Sequence, residues 1–220
     1  MNAQANSMAV DSQAAPVPFA RKPEFWILAA IIALLNAPLL FGGTTHTLIF
    51  LPAAVQHGEW WRVITHPFVH VTWYHLLLDG VAFLSLYSSL LEKSVWRRLA
   101  VMAAAAAGST LISCAASPIV ATGGFCGLSG VAHGLMAFSA YEMMSQKSLH
   151  PRERQLGWLC FILVVGKAAI EAWNGHMFFT FLHFGLMGDP VAVSHAGGVI
   201  GGLLCALIFQ MRRASRSTIA

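Results

Sequence analysis

Apolar runs recur along this chain at roughly 25–41, 68–91, 96–116, 129–145, 156–173 and 190–210. Runs of this length match the hydrocarbon core of a bilayer, which takes about 20 helical residues to cross. Only 10% of the residues are charged, against about 25% in a soluble domain. Such a chain has too little polar surface to cover itself in water. The expected fold is therefore all-α, a polytopic membrane bundle of six transmembrane helices. Residues 1–22 are expected to form a disordered tail, 23–211 the membrane domain and 212–220 a short basic tail. The first twenty residues lack a basic stretch followed by an apolar core and a cleavage site, so they do not read as a signal peptide.

Lys and Arg orient the bundle. Arg21 and Lys22 precede the first run, Lys93, Arg97 and Arg98 follow the second, and Lys147, Arg152 and Arg154 follow the fourth. Arg212, Arg213 and Arg216 follow the sixth. Of the thirteen basic residues, only Arg62 and Lys167 lie elsewhere. Every other connection is basic, which places both termini in the cytoplasm. The net charge of +4 gathers into no basic patch, so nucleic acid is not an expected partner. Trp60, Trp61 and Arg62, in the long connection 42–67, suit a segment lying in the headgroup layer. Cys114, Cys126, Cys160 and Cys205 are too few and scattered for a disulfide framework or zinc finger. They read as packing residues, with a Cys114–Cys126 bridge as the open alternative.

Ionisable and nucleophilic groups inside apolar runs are costly and point to function. Ser129 and His195 both sit about 22 Å above the inner boundary at about 1.5 Å per helical residue, with His75 at about 24 Å and Asp79 at about 18 Å. Residues from three separate spans thus share one layer. Ser129 follows the glycine-rich Thr122-Gly-Gly-Phe-Cys-Gly-Leu-Ser129 at a helix start, where free N–H groups suit an oxyanion. A serine hydroxyl needs a base, and His195 is the best placed. Gly198 and Gly202 let its helix approach a neighbour closely; if that neighbour carries Ser129, hydroxyl and imidazole come within hydrogen-bond reach. His75 and Asp79 share a helix face and point to the same pocket. His133, one turn from Ser129, reads as a packing residue. Lys167 and Glu171 read as a neutralising ion pair, with orientation of the histidine as the sharper alternative. The segment 117–128 is polar enough to dip into the membrane and admit water.

Three motifs in order, His70-Val-Thr-Trp-Tyr-His75-Leu-Leu-Leu-Asp79, Gly127-Leu-Ser129-Gly130 and His195-Ala-Gly-Gly198, resemble those of the rhomboid family of intramembrane serine proteases. The match covers about residues 25–210, and Trp61-Arg62 also fits. The resemblance implies a six-helix rhomboid-like bundle with a Ser129–His195 dyad and neither metal nor cofactor. It implies an oxyanion and substrate-binding set of His75, Asp79, Gly127, Leu128 and the Ser129 N–H, with His133, Lys167 and Glu171 in support. The implied partners are the lipid bilayer and single-span membrane-anchored protein substrates cleaved near the outer face. Position 79 departs from the family, which usually has Asn: an amide donates, whereas an ionised carboxylate only accepts. The sequences around His133, Lys167–Glu171 and Val191–His195 look like the rhombosortase branch, which implies a bacterial inner membrane and substrates with C-terminal Gly-Gly sorting tails. Two rivals remain. One is a metal-dependent membrane enzyme with His66, His70, His75 and Asp79 as ligands. The other is a catalytically silent rhomboid-like binder of membrane segments.

Overall fold

The computed structural model describes residues 22–43, 45–178, 181, 184 and 190–219. The tail assigned to residues 1–22 lies outside them except for Lys22. Six long helices follow one another: α1 (Pro23–Leu35), α2 (Trp73–Ser89), α3 (Val95–Ala116), α4 (Ser129–Ser145), α5 (Pro151–Asn174) and α6 (Val193–Ile219). No strand occurs among the described residues; one isolated bridge pairs Phe50 with Phe125. Among the described residues four helices are long and apolar enough to cross a membrane, or five if a bent pair counts as one span. Their outer faces are bare hydrocarbon, with Leu77, Val81, Ile162, Leu163, Ile200 and Leu204 exposed. A surface of that kind is stable against lipid and not against water.

Local sequence sets the helix ends. Proline at the first position opens α1 and α5, where its missing N–H and fixed φ carry no penalty. His150 and Glu153 add a capping box to α5, which ends at Gly175 with φ 69°. The second expected span, 68–91, starts later than its apolar run. The 3-10 turn His66–Phe68 ends at Val69, and the Thr72 side chain caps α2 by accepting the His75 N–H at 3.1 Å. The segment Arg62–Phe68 meets α2 at 92°. At the other end of the chain no Gly or Pro follows Gly202, and α6 runs on to Ile219 without a break before the basic residues.

The glycines of α6 explain how the bundle closes. A Cβ at Gly197 or Gly201 would collide with the α3 backbone at Gly108 and Ala104, and one at Gly198 or Gly202 with the α4 backbone at Gly130 and Gly134. Two small-residue faces let α6 wedge between α3 and α4. The expected approach of Gly198 and Gly202 to the Ser129 helix is thus present. α4 packs on α2, α3, α5 and α6, and Phe83, Tyr87, Leu128, Leu135 and Phe138 fill the core around it. At the opposite end Lys22 donates to Ser88 O at 2.7 Å, and Arg98 pairs with Glu24.

Arg62 turns its side chain into the protein. It is 7% exposed, and its guanidinium donates to His46 O at 2.6 Å, Ile49 O at 2.7 Å and Glu59 at 2.8 Å. Five fixed donors suit it to hold a folded connection; Trp60 and Trp61 remain outside. All four cysteines are free, so Cys114 and Cys126 form no bridge.

Candidate active site

Ser129 opens α4, just after Gly127, whose φ of 106° is in the left-handed region. A side chain at 127 would also press to within 2.8 Å of His75 Nε2 and 2.9 Å of Asp79 Oδ2. Glycine is therefore required twice over. The bend aims the Leu128 and Ser129 N–H groups, which have no partner within the helix, at α2. Both donate to Asp79 Oδ2, at 2.9 and 3.0 Å. The same oxygen lies 3.2 Å from His75 Nε2 and 3.6 Å from His70 Nε2. A carboxylate oxygen thus sits where donors for an oxyanion were expected, and Asp79 acts as an N-cap supplied by another helix.

On the other side of Ser129 stands a second cluster. His195 Nδ1 lies 2.6 Å from Glu171 Oε2, and Glu171 is 1% exposed. Lys167 Nζ donates to Glu171 at 2.8 Å, and the Phe178 N–H does so at 2.8 Å. A carboxylate accepts only, so the His195 proton is on Nδ1 and Nε2 carries the lone pair. That Nε2 is buried with no hydrogen-bond partner. His133 stacks on His195 with ring centroids 3.8 Å apart and planes at 13°. It donates from Nδ1 to Ser129 O at 2.7 Å and receives Lys167 Nζ on Nε2 at 3.0 Å. It packs on His195 and, through its Nδ1, also holds the Ser129 carbonyl. Lys167 and Glu171 are paired as expected, but the pair is built onto His195.

The expected hydrogen bond between Ser129 and His195 is not made, since Nε2 is unpartnered. Hydroxyl and imidazole nonetheless belong to one region, joined through His133 and the α4–α6 seam. Catalytic hydrogen bonds often tighten only once substrate binds. Ser129 and His75 line an open cleft with Gly124, Cys126, Val191 and Ser194. Burial, with the Asp79 charge nearby, pushes the Cys126 thiol up to about 12, which disfavours the thiolate that a cysteine nucleophile needs.

His66 leaves the four-ligand metal set of the sequence reading. Its Nδ1 is 2.9 Å from Arg62 O and its Nε2 2.9 Å from Thr110 Oγ1. The residue that sequence reasoning missed is Asn36, wholly buried at the end of α1. Its side chain ties Ile32 and Phe68 to the His70 backbone. The available signal was a lone amide inside an apolar run, which bilayer energetics disfavours unless it is used.

Helices with lipid-facing flanks around a half-buried serine and a buried imidazole–carboxylate pair define a multi-pass membrane protein. The sequence model of the Rhomboid domain matches residues 57–212, and the chain belongs to the rhomboid family, whose members are generally intramembrane serine proteases. No curated protein matches the chain in a sequence search.

Proposed function

We propose that the protein is an intramembrane serine endopeptidase in which Ser129 is the nucleophile and His195 the base. One observation carries the reading: the His195 ring is held by a buried carboxylate on Nδ1 and keeps a bare Nε2, and it stacks on His133, which is hydrogen-bonded to the Ser129 carbonyl. An imidazole oriented by a carboxylate, with Nε2 free to accept, is what the base for a serine hydroxyl requires. In the proposed reaction Ser129 Oγ bonds to the peptide carbonyl carbon as its proton passes to His195 Nε2. The tetrahedral oxyanion takes the Leu128 and Ser129 N–H groups, with His75 alongside, after the Asp79 carboxylate yields them. His195 then protonates the leaving amine as the C–N bond breaks, and water from the cleft hydrolyses the acyl-enzyme. Glu171 orients His195 and stabilises its cation, which turns the expected dyad into a triad.

All six long helices cross the membrane in this proposal, with both termini cytoplasmic. Substrates are single-span membrane-anchored proteins whose helix unwinds at small residues near the outer face and enters beside α5. The finer assignment is a rhombosortase-type enzyme of a bacterial inner membrane acting on C-terminal Gly-Gly sorting tails; the sequences around His133, Glu171 and His195 support it. A second reading is favoured by the Asp79 contacts. With its oxyanion donors capped, the chain would be a silent binder of membrane segments.

Labelling by a fluorophosphonate probe separates the two. An active serine labels in the wild type and fails to label in Ser129→Ala, and cleavage of a reporter span falls to background in Ser129→Ala and His195→Ala with the fold intact. Absence of labelling in well-folded wild type establishes the silent binder. Comparative proteomics of surface proteins retained in a Ser129→Ala strain identifies the substrates.

A further inference from the structure

Two groups of imidazole and carboxylate side chains are close enough to hold a metal ion, one on each side of Ser129. They are His133, Glu171 and His195, and His70, His75 and Asp79. The first already contains a cation, since Lys167 Nζ reaches all three of its members at 2.8–3.4 Å. The second has none: the ion pairs of Asp79 among the described residues are to its two histidines.

The hydrogen bonds around His70 decide where its proton is. Asn36 Nδ2 donates to Ile32 O and Phe68 O, both at 2.7 Å. Its Oδ1 therefore faces His70, accepting the backbone N–H at 2.9 Å and lying 3.3 Å from ring Nδ1. An amide oxygen only accepts, so the neutral ring carries its proton on Nδ1. Nε2 is then a lone pair, fully buried and without a hydrogen-bond partner. It points at Asp79 Oδ2, itself an acceptor already holding two N–H groups. Lone pair facing lone pair in a buried site is unfavourable until a cation, a proton or a metal ion, lies between them.

We propose that His70 Nε2, His75 Nε2 and Asp79 Oδ2 bind a divalent transition-metal ion of the zinc type, and that the bound ion closes the oxyanion site. The separations of 3.2 and 3.6 Å from Asp79 Oδ2 to the two imidazoles bracket the about 3.3 Å expected between tetrahedral ligands with bonds near 2.0–2.1 Å. Asn36 supplies the outer acceptor that fixes a metal-bound imidazole. His75 borders the open cleft, which gives the ion a route in. Two imidazoles and one carboxylate favour zinc or its neighbours over magnesium or calcium. An ion there holds the Asp79 carboxylate on the Leu128 and Ser129 N–H groups, so no substrate oxygen can enter. Binding is independent of the protease reading; inhibition rests on it.

The test uses the full chain in detergent, stripped with a chelator and titrated with Zn²⁺ alone. Calorimetry and metal analysis are expected to give one Zn²⁺ per chain, unchanged in Ser129→Ala. Affinity should be weaker by ~10-fold or more in His70→Gln. Fluorophosphonate labelling of the wild type should fall as zinc occupancy rises, return on chelation and be indifferent to Mg²⁺. Asp79→Asn, which keeps the shape and removes the charge, should also lose zinc and guards against a folding defect in His70→Gln. Failure of the wild type to bind zinc, or equal binding by both variants, overturns the site. Zinc binding without any labelling upholds the site and removes the protease instead.

Discussion

Ser129 lies between two buried carboxylates whose surroundings differ above all in fixed charge. Glu171 faces an ammonium, an imidazole N–H and one backbone N–H, from Lys167, His195 and Phe178. Asp79 faces two backbone N–H groups and two imidazoles, with no fixed charge. Lys167 balances the charge of Glu171, so in the proposed reaction that carboxylate stays in place and steadies the charge His195 acquires. Asp79 is balanced by the donors that the proposed transition state needs. In the proposed reaction the first carboxylate is a support, and the second is a cap that has to give way.

The comparison is most exposed to failure at Glu171. Glu171→Gln keeps the volume and removes the charge, and its amide can turn either end toward Nδ1. We expect kcat to fall by about 10²–10⁴-fold, as when a triad carboxylate is neutralised, with KM nearly unchanged. Glu171→Asp should recover part of the loss. A low-field proton resonance from the His195 Nδ1–H should be present in the wild type and vanish in Glu171→Gln. A purely structural carboxylate would lower stability and leave both the kcat-to-KM split and that resonance alone.

At position 79 a smaller effect of opposite sign is expected. Asn keeps an oxygen to cap α4 and adds an N–H that can donate to an oxyanion. Asp79→Asn should keep or raise peptidase activity, by up to ~10-fold, consistent with release of charged competition at two donors. Steady-state cleavage of a reporter span measures it. Complete loss of activity in a folded protein would make the carboxylate essential and dissolve the contrast with Glu171.

Much of this arrangement could be read from the sequence, for a physical reason. A charged or nucleophilic residue in an apolar run is conspicuous, and helical periodicity puts Lys167 with Glu171 and His75 with Asp79 on common faces. Rotation of one helix against another was not legible. Glu171 pairs with Lys167 in any bundle, but its reach to His195 depends on how α5 turns toward α6. Gly157 settles part of that, since a Cβ there would press to 2.8 Å from Met143. Connections were harder. Arg62 reads as an interface residue because, beyond Glu59, its acceptors are carbonyls of residues 46 and 49, which carry no sequence signal. The Phe50–Phe125 bridge joins two segments that no periodicity links.

The smallest expected effect tests whether the two clusters keep their spacing through the α4–α6 seam. His195 rides on α6 and Ser129 on α4, and Gly198 touches the Gly130 carbonyl with no room for a methyl group. Gly198→Ala must push the helices apart, at a cost of about 1–3 kcal/mol. The displacement moves His195 away from Ser129 while Glu171, on α5, is not carried with α6. Asp79 contacts α4 from α2 and should keep its hydrogen bonds. Gly166→Ala is the control: a Cβ there meets nothing within 4 Å, and Ala in mid-helix is favoured over Gly by roughly 0.5–1 kcal/mol. Thermal unfolding and fluorophosphonate labelling of both variants should therefore diverge, with Gly198→Ala losing stability and labelling and Gly166→Ala losing neither. Equal behaviour of the pair would mean that α4 and α6 are not held at backbone contact, and that the spacing of imidazole and serine is set elsewhere in the bundle.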